Sequence, residues 1–298
     1  MQAHWDDLRI FLSVAREESL SGAGRVLKID PATVGRRIAR LERALGASLF
    51  VKSPQGYTLS AAGERLLSQG EQAEQAMRAV TEALDGPSEG LAGQMRIGAP
   101  DGCANYLLPQ VCARIGEENP DLDIQIVALP RIVNLSRREA DMAIAVSAPS
   151  AGQLLVQKIT DYRLHLVASR SYLRDHPPLD RVEDLRDRRM VGYIPDMIFD
   201  AELDYLDNLG VRRVPLASNS VPVQLKLLVQ GTGLGVAHDF SLPSHPELRK
   251  VLSDEISLTR SFYLVRHQGD QRSARLNRFA AALAQGVRDE VARLESLT

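Results

Sequence analysis

Cysteine is scarce: Cys103 and Cys112 are the two thiols in 298 residues. That excludes a disulfide-stapled scaffold and fits a reducing compartment. The two lie nine positions apart, and the six histidines (His4, His165, His176, His238, His245, His267) are scattered. No metal-ligand spacing results, so neither metal nor cofactor is expected. Cys112 falls on an apolar helical stripe and reads as core, while Cys103 reads as a small pocket-lining residue or a thiol sensor. No apolar run is long enough for a membrane-spanning helix. The opening MQAHWDDLRIF holds two acidic residues and no apolar core, so no secretory signal is read there and a cytoplasmic protein is expected. Enzyme motifs are also missing. Gly231-Thr232-Gly233-Leu234-Gly235 is G-x-G-x-G, not the G-x-G-x-x-G that cradles a pyrophosphate. Asp204 and Asp207 read as solvent-facing carboxylates rather than a catalytic pair. What remains is a chain with 44% apolar residues, enough for two domain cores, and a net charge of only −2.

Against that near-neutral background one stretch stands apart. Leu20–Ser60 holds seven basic residues (Arg25, Lys28, Arg36, Arg37, Arg40, Arg43, Lys52) and two acidic ones (Asp30, Glu42). A basic patch on a mildly acidic chain is the electrostatic footprint of a nucleic-acid-binding module. The same stretch predicts a short helix from Leu20 to Leu27, then a second from Pro31 to Leu45 with Asp30 as N-cap and proline at the first helical position. A short helix, a tight turn and a longer basic helix describe a helix-turn-helix, whose second helix enters the DNA major groove. Val34, Ile38, Leu41 and Leu45 form its core stripe. Ala32, Thr33, Arg36, Arg37 and Arg40 lie off it, as base readers or phosphate anchors. Leu49–Lys52 and Tyr57–Leu59, with turn chemistry between them, predict a β-hairpin wing. Its Lys52 and Gln55 are candidates for the DNA backbone. Ser60 then caps a long helix on which Leu66, Gly70, Ala73, Met77, Val80 and Leu84 recur at alternating spacings of four and three. Such a seam suits a partner helix, or packing on its own domain. A breaker cluster at Asp85-Gly86-Pro87-Ser88 marks the domain boundary.

Beyond it, strands alternate with helices: Gln94–Ala99, a helix over Tyr106–Glu118, Asp123–Leu129, Asp141–Val146, and strands near 162–168, 190–194, 214–218, 234–238 and 261–266. The alternation predicts βαβ units and a mainly parallel sheet. The strands are too many for one small sheet, so two α/β subdomains flanking a cleft are expected. A final long helix carries Leu276, Phe279, Ala280, Leu283, Val287 and Val291 on one stripe.

The N-terminal part resembles the LysR-type transcriptional regulators. The resemblance rests on Leu8-Arg9-Ile10-Phe11 with Val14-Ala15, Ser19–Leu27, Val34–Phe50, and Leu59-Ser60-Ala61-Ala62-Gly63-Glu64. It departs from the family pattern at Gly22 and Gly24 (usually alanine), Lys28 (often a turn glycine), Gly35 (often serine) and Lys52 (often arginine). Glycine inside a helix costs roughly 0.5–1 kcal/mol relative to Ala, which predicts a less rigid second helix. The rest resembles the family's effector domain more loosely, through Arg96-Ile97-Gly98-Ala99, Leu107-Leu108-Pro109, Glu139–Ile144 and VQGTGLGV at Val229–Val236. The resemblance implies a winged helix-turn-helix over 1–59, a linker and dimerisation helix over 60–89 (Leu66, Ala73, Met77, Val80, Leu84), and a periplasmic-binding-protein-like α/β effector domain over 90–298. In that domain, subdomain I covers about 90–161 and 267–298, and subdomain II about 162–266. The implied partners are a partly palindromic double-stranded operator, a small-molecule effector, RNA polymerase and further copies of the chain, as a dimer or dimer of dimers. A solute-binding module that merely retains a helix-turn-helix, or an enzyme of another type, would not bind a defined duplex.

Effectors in open α/β sheets lie at strand ends. The residues nominated there are Pro100, Asp101, Gly102 and Cys103, then Pro130 and Arg131, Tyr193 and Pro195, and Ser218 and Asn219. Where the family often has a serine or threonine pair for a carboxylate, this chain has Pro100 and Gly102 flanking Asp101. A carboxylate there disfavours an acidic effector, unless it caps the helix expected to start near Ala104.

Overall fold

The computed structural model describes residues 4–53, 56–84, 90–129, 140–149, 154–206, 209–211 and 213–298. The chain divides into two compact units: Met1–Ser88, and a second over Glu89–Leu135 and Glu139–Thr298.

In the first unit, local signals set the element ends. Helix α1 (Trp5–Glu17) buries Ile10, Phe11, Leu12 and Val14. Helix α2 (Leu20–Leu27) is capped by the Ser19 hydroxyl, which accepts from the Gly22 N–H, and stops at Lys28 in the left-handed region (φ 55°). Helix α3 (Pro31–Leu45) starts where the Asp30 carboxylate accepts from the N–H groups of Ala32 at 2.8 Å and Thr33 at 3.3 Å. Those are first-turn donors with no partner inside the helix. Val34, Ile38 and Leu41 are buried, but Leu45 is 43% exposed: it ends the helix, past the turn that the core covers. Gly24 also has a steric reason to be glycine. A Cβ there would sit 2.7 Å from the Ile29 carbonyl oxygen, so glycine lets the α2–α3 turn close.

Strands β1 (Phe50–Ser53) and β2 (Gly56–Leu59) pair antiparallel, Phe50 opposite Leu59. The Tyr57 N–H donates to the Glu18 carbonyl at 2.9 Å and ties the hairpin to the α1–α2 turn. Phe50 packs on Phe11 and Tyr57, with ring centroids 5.3 and 5.9 Å away. Ser60 caps α4 (Ala61–Leu84) by accepting from the Gly63 N–H at 3.0 Å.

The second unit is built on strands β3 (Gly93–Pro100), β4 (Leu122–Leu129), β5 (Met142–Ala145), β6 (Leu154–Ser169), β9 (Leu234–His238), β10 (Leu248–Lys250) and β11 (Ser257–His267), joined in one sheet. A separate pair, β7 (Val191–Gly192) and β8 (Leu216–Ala217), is parallel. The sheet is mixed, not mainly parallel as the alternation suggests. β3 runs parallel to β4 and β5, whereas β11 is antiparallel to β5 and β6, and β6 is antiparallel to β9 and β10. The reason is length. β6 and β11 extend well past the expected 162–168 and 261–266 and pair along most of it, with a register shift at Phe262/Tyr263. The first half of β6 lies with β11 alone; the second half also takes β9 and β10. These two strands carry the chain between the two halves of the unit.

A large core joins Met95, Ile97, Leu107, Leu108 and Val111 to the stripe of α9 (Ala274–Glu295). In the other half Leu166 and Ala168 face one core and Val167 another, the period-two alternation of a strand covered on both sides. The helix expected over Tyr106–Glu118 is α6 (Leu108–Glu118), which starts two residues later; a short α5 (Asp101–Tyr106) precedes it, and Leu107 separates the two. Pro109, which lacks an N–H, is the second residue of α6, in the first turn where that donor would have no intrahelical partner. Short α7 (Arg170–Asp175) follows β6, and α8 (Val221–Val229) precedes β9. No helix among the described residues is long and apolar enough to cross a membrane.

Candidate DNA interface and effector cleft

The first two turns of α3 present Ala32 and Arg36 to solvent, with Thr33 half-buried between them. Arg36 donates to the Thr33 hydroxyl at 2.9 Å, which lines both side chains along one face. Arg37 and Arg40 are placed differently. Arg37 donates to Asp7 Oδ1 at 3.1 Å, and Arg40 makes a two-pronged pair with the same carboxylate. Asp7 is 1% exposed. Burial drives its carboxyl pKa upward, but Arg40 and Arg37 outweigh that and hold it below its ordinary value. The three arginines thus divide: two secure α3 to α1, while Arg36 is exposed and bonded to Thr33. Asp7 was not nominated from sequence, although a signal existed. It stands three and four residues before Ile10 and Phe11, on the buried stripe of α1. Lys52, on β1, is exposed and lies 5.7 Å from the Tyr57 ring centroid, within cation–π range. Gln55 lies outside the described residues.

Along α4 the seam divides. Leu66 packs on the core of the first unit, and a Cβ on Gly70 would meet Leu12 and Leu8 side chains at 3.0 and 3.2 Å. Ala73 is half-buried, while Met77 and Val80 are 49% and 57% exposed. The Leu84 side chain lies outside the described residues.

In the second unit, Asp101 is the first residue of α5, so that helix starts three residues before the expected Ala104. Its carboxylate accepts from the Val221 N–H at 2.7 Å and from Asn105 Nδ2 at 2.9 Å. The charge faces the start of α8. Gly102 is pressed against His238 and Val221. Cys103 is 1% exposed, and burial pushes its thiol far above the ordinary range, which removes the thiolate a sensor needs. Cys112 is likewise buried, its thiol raised to about 11. The Ser218 carbonyl accepts from Gln224 Nε2 at 2.7 Å, and its hydroxyl accepts from the Ser220 N–H at 3.1 Å. Asn219, next to it, is half-buried. Tyr193 and Pro195 line a cavity of ≈ 170 Å³ together with Ile198, Tyr205, Leu206 and Gln224. Sequence reasoning missed the last four. Nothing local marks them, because they converge from separate segments. Pro100, at the end of β3, borders Asp101 rather than this cavity; Pro130 and Arg131 lie outside the described residues.

Residues 88–288 match the family described as LysR substrate binding domain, and residues 5–64 match bacterial regulatory helix-turn-helix protein, lysR family. The HTH-type transcriptional regulator GltR of Bacillus subtilis is 26% identical over 260 residues, 86% of each chain. The HTH-type transcriptional regulator CrgA of Neisseria meningitidis is 23% identical over 242 residues, covering 80% of this chain and 81% of that one. Among solved structures, a full-length OxyR variant from Pseudomonas aeruginosa superposes with a TM-score of 0.72 at 18% identity, over 97% of this chain and 95% of that one. Full-length LysG from Corynebacterium glutamicum, solved with bound effector Arg, gives 0.64 at 19%, over 97% and 98%. These structural likenesses establish the fold. The two family matches together take in most of the sequence, and the chain accordingly belongs to the LysR-type transcriptional regulators: DNA-binding proteins with an effector-binding domain, not enzymes.

Proposed function

We propose that this regulator binds a partly palindromic operator as a dimer. Ala32, Thr33 and Arg36 meet base edges; Lys52 and Gln55 of the wing contact phosphates. Arg37 and Arg40, oriented by Asp7, offer their remaining N–H groups to the backbone. The observation that carries this reading is the capped, exposed N-terminal half of α3, where Arg36 has no acidic partner among the described residues while Arg37 and Arg40 share one. A two-fold dimer presents two such helices to successive major-groove faces.

Dimerisation runs through the C-terminal half of α4, over Ala73, Met77, Val80 and Leu84, and supports a dimer of dimers. We take 1–59 as the DNA-binding domain, 60–89 as the linker helix and 90–298 as the effector domain, its subdomains meeting along β6 and β11. A small molecule enters between the end of β3 and the start of α8 and biases contact with RNA polymerase, in the cytoplasm. Footprinting on DNA flanking the protein's own gene tests the reading. A protected, partly symmetric site is expected, lost in Arg36→Ala; protection of no site would overturn it.

A further inference from the structure

The basic stretch Leu20–Ser60 does not present all of its charge to DNA. Among the described residues, Arg37 and Arg40 are its cations with an acidic partner, and they share the same one. Asp7 Oδ1 accepts from Arg37 at 3.1 Å, and both carboxylate oxygens accept from Arg40. The carboxylate is buried, while the Arg37 and Arg40 side chains keep 36% and 44% of their surface. Asp6, exposed at the preceding position, lines the same open notch with His4, Trp5 and both arginines. Two cations there face two carboxylates, so the notch is close to neutral.

Anchoring alone does not require this arrangement. Helices α1 and α3 already share an apolar core of Ile10, Phe11, Val14, Val34, Ile38 and Leu41. A buried ion pair adds little to such a core, because desolvation offsets much of the attraction. The distinct effect of Asp7 is on charge. Non-specific DNA affinity comes almost wholly from neutralising phosphates, and log K falls with log salt by about 0.9 per phosphate. A carboxylate locked beneath two arginines subtracts one unit of charge from the face they form, whatever sequence lies opposite.

We propose that Asp7 restrains sequence-independent DNA binding: it holds Arg37 and Arg40 back from full engagement with phosphates, so that recognition leans on Thr33 and Arg36 at the bases. This rests on the DNA-binding reading of the first unit and goes beyond the orientation of the two arginines. Asp7 acts through them as a positioning residue, and it limits what they contribute. Phosphate contacts carry no sequence information directly. Trimming them leaves the base contacts untouched, and the sequence-dependent share of the affinity grows.

Asp7→Asn in the full-length protein tests this on a duplex of random sequence. Removing one negative charge from the face should steepen the salt slope by about 0.9 for each first unit on the duplex and, at roughly 0.15 M salt, tighten binding about fivefold per unit. Fluorescence anisotropy of the labelled duplex across a salt series, well below the melting temperature, reads both. Asp7→Glu keeps the charge and is expected to keep the wild-type slope. Asp7→Ser is the fallback should asparagine leave too little folded protein. An unchanged slope in every neutral variant that folds would reduce Asp7 to an anchor. Weaker binding with a shallower slope would make it a presenter of the arginines. Either result overturns the proposal, as does an equal steepening in Asp7→Glu. The operator footprint of the wild type stands apart from these outcomes. Its loss would strike the operator reading and leave the salt slopes on random DNA intact.

Discussion

Asp7 and Arg36 divide the labour of the first unit at the scale of single residues. Asp7 is a buried carboxylate whose two arginine partners fasten α3 to α1; Arg36, one residue from Arg37, is turned outward. Arg36→Ala is expected to weaken binding to the specific site by about 1–3 kcal/mol, the usual worth of a bidentate base contact, with no change in melting temperature. Gel-shift titration at fixed salt, beside a thermal melt, measures both. Asp7 has the opposite profile. Its folded-state pKa lies below the ordinary 3.8, so its stabilisation is full above that value and drains away as pH falls through the lowered one. Asp7→Asn should flatten the acid limb of unfolding for the first unit below about pH 4, and lower stability at neutral pH. Circular dichroism across an acid titration checks the sign: an unchanged acid limb would show that the pair contributes nothing.

At the scale of elements, ends matter more than interiors. Helix α2 terminates on Lys28 at φ 55°, a conformation that costs a side chain roughly 1–2 kcal/mol and a glycine little. Lys28→Gly should therefore stabilise the first unit by about 1 kcal/mol, since strain relief exceeds the extra freedom gained by the unfolded chain. Denaturant midpoints would read it, and a lower midpoint would refute it. Helix α4 changes partner along its length, from core packing at Leu66 and Gly70 to exposure at Met77 and Val80. The double substitution Met77→Lys with Val80→Lys should leave the fold intact, halve the particle mass in light scattering and reduce operator affinity. Burying two ammonium groups in a helix seam is strongly unfavourable. Unchanged mass would move the interface elsewhere.

The whole molecule holds two units with separate hydrophobic clusters. Phe11 and Leu41 centre one; Phe279, Leu283 and the strands beside them centre the largest cluster of the other. Calorimetry of the full chain should show two unfolding transitions. Phe11→Ala, at a fully buried ring, should lower only one and Phe279→Ala only the other, each by about 3–5 kcal/mol. A single transition shifted by both would mean that the units unfold together. Charge is also partitioned. The basic stretch sits within the first unit of a chain of net charge −2, so operator affinity should fall steeply with salt, with slope set by the number of phosphates neutralised.

Sequence alone determined what depends on neighbours within a turn or two. Asp30 and Pro31 announced the start of α3, Ser60 that of α4, and the stripe at Leu276, Phe279, Leu283 and Val287 the face that α9 buries. Caps and helical periods involve groups up to about four residues apart, so they are written locally. The helix expected over Tyr106–Glu118 stands as α6 from Leu108 to Glu118, and at Gly24 the structure adds what no local signal carries, the close approach of the Ile29 carbonyl. Tertiary structure alone decided which charges meet. Arg37 and Arg40 find Asp7 across 30 and 33 residues, Asp101 finds Val221 across 120, and β6 and β11 join along lengths that no hydrophobic pattern foretold. A charged side chain is compatible with solvent, phosphate or carboxylate alike, and its own sequence neighbourhood does not choose among them. The choice falls to whichever partner the packed backbone brings within hydrogen-bonding distance.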